Sequence, residues 1–163
     1  MKTVRVFAPA SIANLGCGFD IMGLALDEVG DVLEMSVSEG DGLTIKNESG
    51  VPLPEDIELN VVTPVVRKFL EMTGNKAQVD VVIKRKIYPG SGIGSSSASS
   101  AAAAFGMNEL FGCPLSEEDV VVCAMEGENL PELWTLTRMR EGHNLLCPSA
   151  RVLRVVNSGA TNF

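Results

Sequence analysis

Apolar and polar positions along this 163-residue chain divide it into segments of two periods. Val4, Val6 and Ala8 recur at every second position, and the stretch at 31–38, DVLEMSVS, carries Val32 and Leu33 into Met35 and Val37. This period predicts two half-buried strands that pair. Between 60 and 72 the apolar residues fall at 61, 62, 65, 66, 69 and 70, a 3.6-residue stripe, and Gly74 stands where a left-handed residue would end it. A helix is predicted there. Val79, Val81 and Ile83 restore the alternation of a strand, which delivers the chain to PGSGIGSSSASSAAAA at 89–104. A helix is predicted over 95–110, small on its first turns. Ser116 and Asp119 have the spacing of an N-cap and its N3 partner, and the helix they open is predicted to run to about Glu128. Strands and helices are mixed without repetition, which leaves an α+β fold and a small α/β fold both open.

Composition narrows the class. Apolar residues make up 45% of the chain and aromatic ones 5%, so a core must rest on Val, Leu, Ile, Ala and Met, and the length favours one domain. The net charge of −8 argues against a nucleic-acid partner, and the short KRK run at 84–86 does not change that expectation. Cys17, Cys113, Cys123 and Cys147 show no CxxC spacing and His143 is the one histidine, so neither zinc nor a disulfide framework is expected. A reducing, cytoplasmic setting fits. No apolar run reaches the length of a membrane span, and the N-terminus alternates like a strand rather than a signal peptide, so no membrane partner is expected.

The chemistry starts at Gly90, Gly92 and Gly94. Alternating glycines let a backbone take positive φ and bring N–H groups close to a ligand, and the serine-rich turn that follows adds hydroxyls, unpaired N–H groups and the positive end of a helix dipole. An anion belongs there. A Walker A loop is excluded because no lysine follows Lys86, and a dinucleotide fingerprint fails because its third glycine would fall on Ser95 or Ser97.

The stretch resembles the P-x-G-x-G-[LI]-G-S-S-[SA]-A motif of the GHMP kinases. It is matched at Pro89, Gly90, Gly92, Ile93, Gly94, Ser95, Ser96, Ser97 and Ala98 after a one-residue contraction following Pro89. A second block, APASIANLGCGFDIMGLAL at 8–26, is similar to the N-terminal signature of the homoserine kinases within that superfamily. The resemblance implies an α+β N-terminal domain of the ribosomal protein S5 domain 2-like type. It also implies ATP and Mg²⁺ as cofactors and transfer of the γ-phosphoryl group to the hydroxyl of L-homoserine, giving O-phospho-L-homoserine on the way to threonine. It assigns the amino-acid substrate to Asn14 and Asp20, the nucleotide to residues 89–97 including Ser91, adenine to Asn60, and Mg²⁺ to Ser96 with a glutamate from AMEGENL. Glu128 is favoured over Glu126 by its spacing to the loop and by the G-E-N step. Asn60 also opens a helix, where Asn serves as an N-cap, and both readings stand. A zwitterionic substrate suits a carboxylate beside a neutral amide, with Gly16 and Gly18 making the turn between them. No catalytic base is assigned, and a homodimer is expected of the full-length family form.

The resemblance covers roughly residues 1–130. Beyond it, the family's A-S-G-x-x-H-A-D-N-V-A-P segment and second domain are replaced by a tail with four arginines, no lysine and two acids. Codons for residues 130–137, read out of frame, can encode a sequence similar to the absent segment. The expectation is therefore a GHMP N-terminal domain over 1–130 and a poorly ordered, frameshifted or truncated tail over 131–163, with little or no kinase activity in this chain; a natural short C-terminus is the other reading. His143 receives no role. The alternatives to a homoserine kinase are a nucleotide-binding domain without catalysis and a GHMP kinase for another small alcohol.

Overall fold

The computed structural model describes residues 2–13, 15, 17 and 22–128, together with the backbone of 154–156. Among the described residues five strands form one mixed sheet: β1 (Lys2–Ala13), β2 (Gly23–Ser38), β3 (Gly42–Asn47), β4 (Gln78–Arg85) and β5 (Arg154–Val156), in the order β3-β4-β2-β1-β5. The helices are α1 (Val62–Thr73), α2 (Ser95–Leu110) and α3 (Glu117–Met125). Alternation in the sequence becomes the two faces of this sheet: Val6, Ala8, Leu33, Met35, Val79, Val81 and Ile83 are buried toward the helices. The register joins Val4 to Met35 and Val6 to Leu33 in the antiparallel β1–β2 pair.

The first two predicted strands run longer than their patterns. β1 and β2 extend into a hairpin arm whose β2 side, from Gly23 to Val29, is mostly exposed. The register breaks between Pro9 and Ser11, where the partner moves from Gly30 to Ala25 and Glu28 takes a φ of 62°. β3 was not predicted. It is short, half-buried and parallel to β4 at the sheet edge, and the α1 crossover joins the two.

The apolar stripe of α1 places Val62, Val65, Val66 and Phe69 in the core, and Gly74 closes the helix at φ 67°, as its position in the sequence predicted. α2 has no apolar stripe, and its small residues serve a different purpose. A Cβ at Gly106 would stand 2.6 Å from Met35 Sδ and 3.2 Å from Val6 Cγ2, so the small side of this helix packs tightly against the side chains of β1 and β2. α3 begins where expected, with Ser116 Oγ accepting from Asp119 N, but ends at Met125; residues 126–128 form a separate 3₁₀ turn. Cys123 is buried and donates to the Val65 carbonyl, and burial pushes its thiol up to about 11, so it acts as a core residue. No helix among the described residues is long and apolar enough to cross a membrane.

Candidate active site

The segment from Pro89 to Ser97 leaves the end of β4 as a turn and enters α2. Gly90, Gly92 and Gly94 all have positive φ, at 78°, 76° and 71°, the conformation that alternating glycines permit at little cost. Gly94 is the N-cap of α2 and has no side chain to cap it, so the first-turn N–H groups of Ser95, Ser96 and Ser97 have no intrahelical acceptor. Ser91 N bonds back to the Tyr88 carbonyl. Pro89 through Gly92 are exposed, Ile93 is half-buried and Gly94 is buried, so the loop rises from a packed base to an open rim. Such a base, with its helix dipole, attracts anions.

Two contacts fix the loop to the rest of the fold. Ser11 of the hairpin arm donates its N–H to the Ile93 carbonyl at 3.0 Å, and a Cβ on Gly94 would lie 2.6 Å from Ser11 Oγ. Beneath the loop, the ammonium of Lys86 meets Asp31 Oδ2 at 2.8 Å, the Ser95 carbonyl at 2.7 Å and Ser95 Oγ at 2.5 Å. Asp31 also accepts from Ile87 N at 2.6 Å and from Ser99 Oγ. Burial pushes the Lys86 amine down, against the opposing pull of Asp31. Sequence reasoning missed this cluster, because it looked for a phosphate-loop lysine after the glycines and this one precedes them. The available signal was Asp31 itself, a carboxylate opening the apolar run Val32-Leu33 and therefore in need of a buried partner.

The 126–128 turn approaches α2 from the other side. Ser97 Oγ donates to Glu128 Oε1 at 3.0 Å, whereas Ser96, which the sequence paired with this glutamate, has no hydrogen-bond partner for its hydroxyl among the described residues. Glu126 lies elsewhere, in a surface cleft with Glu58, Arg67, Lys68 and Glu71. No cluster of three or more His, Cys, Asp or Glu side chains able to hold a metal occurs among the described residues. One carboxylate with neighbouring hydroxyls is the oxygen-donor set that suits Mg²⁺ shared with a polyphosphate, since that ion takes few protein ligands and keeps water.

Asn60 precedes α1. The N-cap of α1 is Val61 and not Asn60; Asn60 stands one residue earlier, and its Oδ1 accepts from Val62 N at 3.1 Å in an Asx-type turn, so the capping expectation is off by one position. The residue also lines a cleft of about 320 Å³ whose walls are apolar at Ile45, Leu53, Pro54 and Ile57 and polar at Asn47 and Glu55. Asn14 and Asp20, the expected substrate contacts, lie outside the described residues, as does His143.

A mixed sheet carrying a glycine loop from the end of β4 into a small-residue helix defines a class, and known proteins of that class resemble this chain. Residues 60–131 match the family described as "GHMP kinases N terminal domain". The chain carries this N-terminal domain of the GHMP kinases. Within that family its relatives are homoserine kinases. The enzyme of Methanococcus vannielii is 41% identical over 130 residues, covering 78% of this chain and 43% of the relative. That of Chlorobium phaeobacteroides is 39% identical over 142 residues, with 80% and 44% covered. The crystal structure of homoserine kinase from Cytophaga hutchinsonii superposes with a TM-score of 0.72 at 37% identity, over 78% of this chain and 41% of that one. Galactokinase of Lactococcus lactis, at 17% identity and a TM-score of 0.62, shares the fold. The chain spans less than half the length of the curated relatives it matches.

Proposed function

We propose that the chain is the nucleotide-binding part of a homoserine kinase, an ATP-dependent phosphotransferase of the cytoplasm acting on the hydroxyl of L-homoserine. The observation that carries this reading is the pairing of a positive-φ glycine loop with a carboxylate at the first turn of the same helix: Gly90, Gly92 and Gly94 on one side, Glu128 bonded to Ser97 on the other. Phosphoryl transfer needs positioning and charge neutralisation more than covalent chemistry. In this reading the N–H groups of residues 94–97 and the α2 dipole receive the phosphates, and Lys86 holds Ser95 in place beneath them. Glu128 with Ser96 or Ser97 would hold Mg²⁺, which would supply charge neutralisation at the phosphates. Asn60 and the cleft around it take the adenine.

Asn14 and Asp20 are proposed to bind homoserine. Support comes from Ser11, three residues before Asn14, whose backbone is bonded to the loop at Ile93. That bond joins the start of the hairpin to the glycine loop, which supports a substrate held near the phosphates, as a transfer that requires reacting atoms roughly 3–3.5 Å apart demands.

The test has two arms. Calorimetric titration of this chain with ATP, with and without Mg²⁺, is expected to show binding that Mg²⁺ strengthens. A coupled ADP-release assay on a form carrying the length of the relatives is expected to show turnover with L-homoserine and not with mevalonate or galactose. Absence of ATP binding would remove the nucleotide reading; turnover with another alcohol would remove the homoserine assignment and leave the kinase.

A further inference from the structure

Gly127 separates the two glutamates of the 126–128 turn, and its surroundings leave no room for a side chain. A Cβ there would stand 2.0 Å from Ser100 Oγ, 2.8 Å from Ser100 Cβ and 2.9 Å from the Val61 carbonyl oxygen. The backbone of Gly127 is not in the left-handed region, so space rather than conformation demands glycine. Neither neighbour can yield easily. Ser100 is fully buried within α2, with a short side chain fixed by the helix, and the Val61 carbonyl belongs to the N-cap of α1. Ser100 Oγ has no hydrogen-bond partner among the described residues, so what meets Gly127 there is a surface in van der Waals contact and not a polar bridge.

Ser97 and Ser100 lie three residues apart on α2 and both face the turn. Ser97 grips the Glu128 carboxylate at 3.0 Å while Ser100 lies against Gly127. The turn is therefore seated at one point and bonded at the next. Because Val61 follows Asn60, the same seat joins three segments: the one that opens α1, the first turns of α2, and the turn bearing Glu128.

We propose that Gly127 is a positioning residue for the nucleotide's metal: its lack of a side chain lets the turn lie flat on Ser100 and Val61, and this seating sets the Glu128 carboxylate at the first turn of α2. The inference rests on the reading of Glu128 as a metal carboxylate given above. A methyl group at 127 must lift the turn off α2, and a shift well under the length of a bond is enough to misplace a carboxylate against a cation held at about 2.1 Å. Residues that orient a ligating group typically change metal affinity by about tenfold or more when altered.

The experiment measures ATP affinity of the 163-residue chain by calorimetry, with and without Mg²⁺, for the wild type, Gly127→Ala, Ser100→Gly and the double variant, with far-ultraviolet circular dichroism on each. Gly127→Ala is expected to keep metal-free ATP affinity and to lose most of the Mg²⁺-dependent gain, with the Mg²⁺ concentration for half-effect rising about tenfold. Ser100→Gly, which thins the seat but leaves the Val61 carbonyl beneath the turn, is expected to keep more of the Mg²⁺ gain than Gly127→Ala does. The double variant, which clears both Ser100 atoms from the new methyl, is expected to recover most of the Mg²⁺ dependence. An unchanged Mg²⁺ gain in Gly127→Ala overturns this inference alone. So does a proportional loss of both affinities, or a folded double variant that recovers nothing. A wild-type chain that binds ATP with indifference to Mg²⁺ overturns the reading of Glu128 and this inference with it.

Discussion

Lys86 and Asp31 form an ion pair beneath the glycine loop, 2.8 Å apart, with side chains 6% and 0% exposed. The pair links the start of the core portion of β2 to the residue that follows β4, and through Ser95 and Ser99 it reaches the first two turns of α2. Removing one partner of such a pair strands a charge. Lys86→Met is expected to lower stability by about 3–5 kcal/mol, read as a shift in the urea midpoint. Lys86→Met with Asp31→Asn should regain a large part of it, since the amide still accepts from Ile87 N without carrying a charge. A single variant within about 1 kcal/mol of wild type would mean that the pair contributes little beyond its packing.

Glu128 offers a cleaner separation of folding from binding. Glu128→Gln keeps an oxygen for Ser97 Oγ and removes the charge, so stability is expected to stay within about 0.5 kcal/mol of wild type. Metal-free ATP should bind as well or slightly better, because a negative charge near the phosphates is gone, while the gain on adding Mg²⁺ should vanish. Titrations at fixed ionic strength decide this. A variant with the wild-type Mg²⁺ response would move the metal site away from Glu128.

Gly94 and Gly50 both have positive φ, at 71° and 76°, yet only one is crowded. Nothing lies within 4 Å of a Cβ on Gly50, so Gly50→Ala should cost about 1–2 kcal/mol from backbone strain alone. Gly94→Ala carries the same strain and drives a methyl to 2.6 Å from Ser11 Oγ. It is expected to cost more than Gly50→Ala and to weaken ATP binding, whereas Gly50→Ala leaves ATP binding unchanged. Equal costs with equal ATP affinity would show that the Ser11 contact does not shape the loop.

These residues also show what the sequence could disclose. Strands and helices with strong period were legible: Val62, Val65, Val66 and Phe69 face the core as their spacing requires, and Ser116 caps α3. The glycine loop was legible because three alternating glycines have few other uses, and all three have positive φ. β3 was not, since LTIK is too short and too polar for period 2 to stand out, and its place depends on a parallel neighbour 30 or more residues away. The Lys86–Asp31 pair joins positions far apart in the chain, and no local pattern encodes such a partnership. The close fit of Gly127 against Ser100 and Val61 is likewise visible only once three segments have met.

Acid should reveal a strongly shifted carboxylate on the sheet edge. Glu48, just past β3, accepts from Lys46 Nζ at 2.6 Å and Lys84 Nζ at 2.7 Å, and these hydrogen bonds, Lys46 first, bring its carboxyl from 4.5 to about 2. A carboxyl whose folded value lies below its unfolded one adds stability that is complete above pH 4.5 and is lost as the pH falls toward 2. Because the group is solvent-exposed, its share should be small and should shrink further in high salt. Glu48→Gln is therefore expected to lower the urea midpoint slightly at pH 6, and the difference from wild type should close between pH 4.5 and pH 2. The comparison is made at low ionic strength, where the screening is least. A difference that persists unchanged at pH 2 would show that the loss comes from packing at the β3–β4 edge and not from the charge of Glu48.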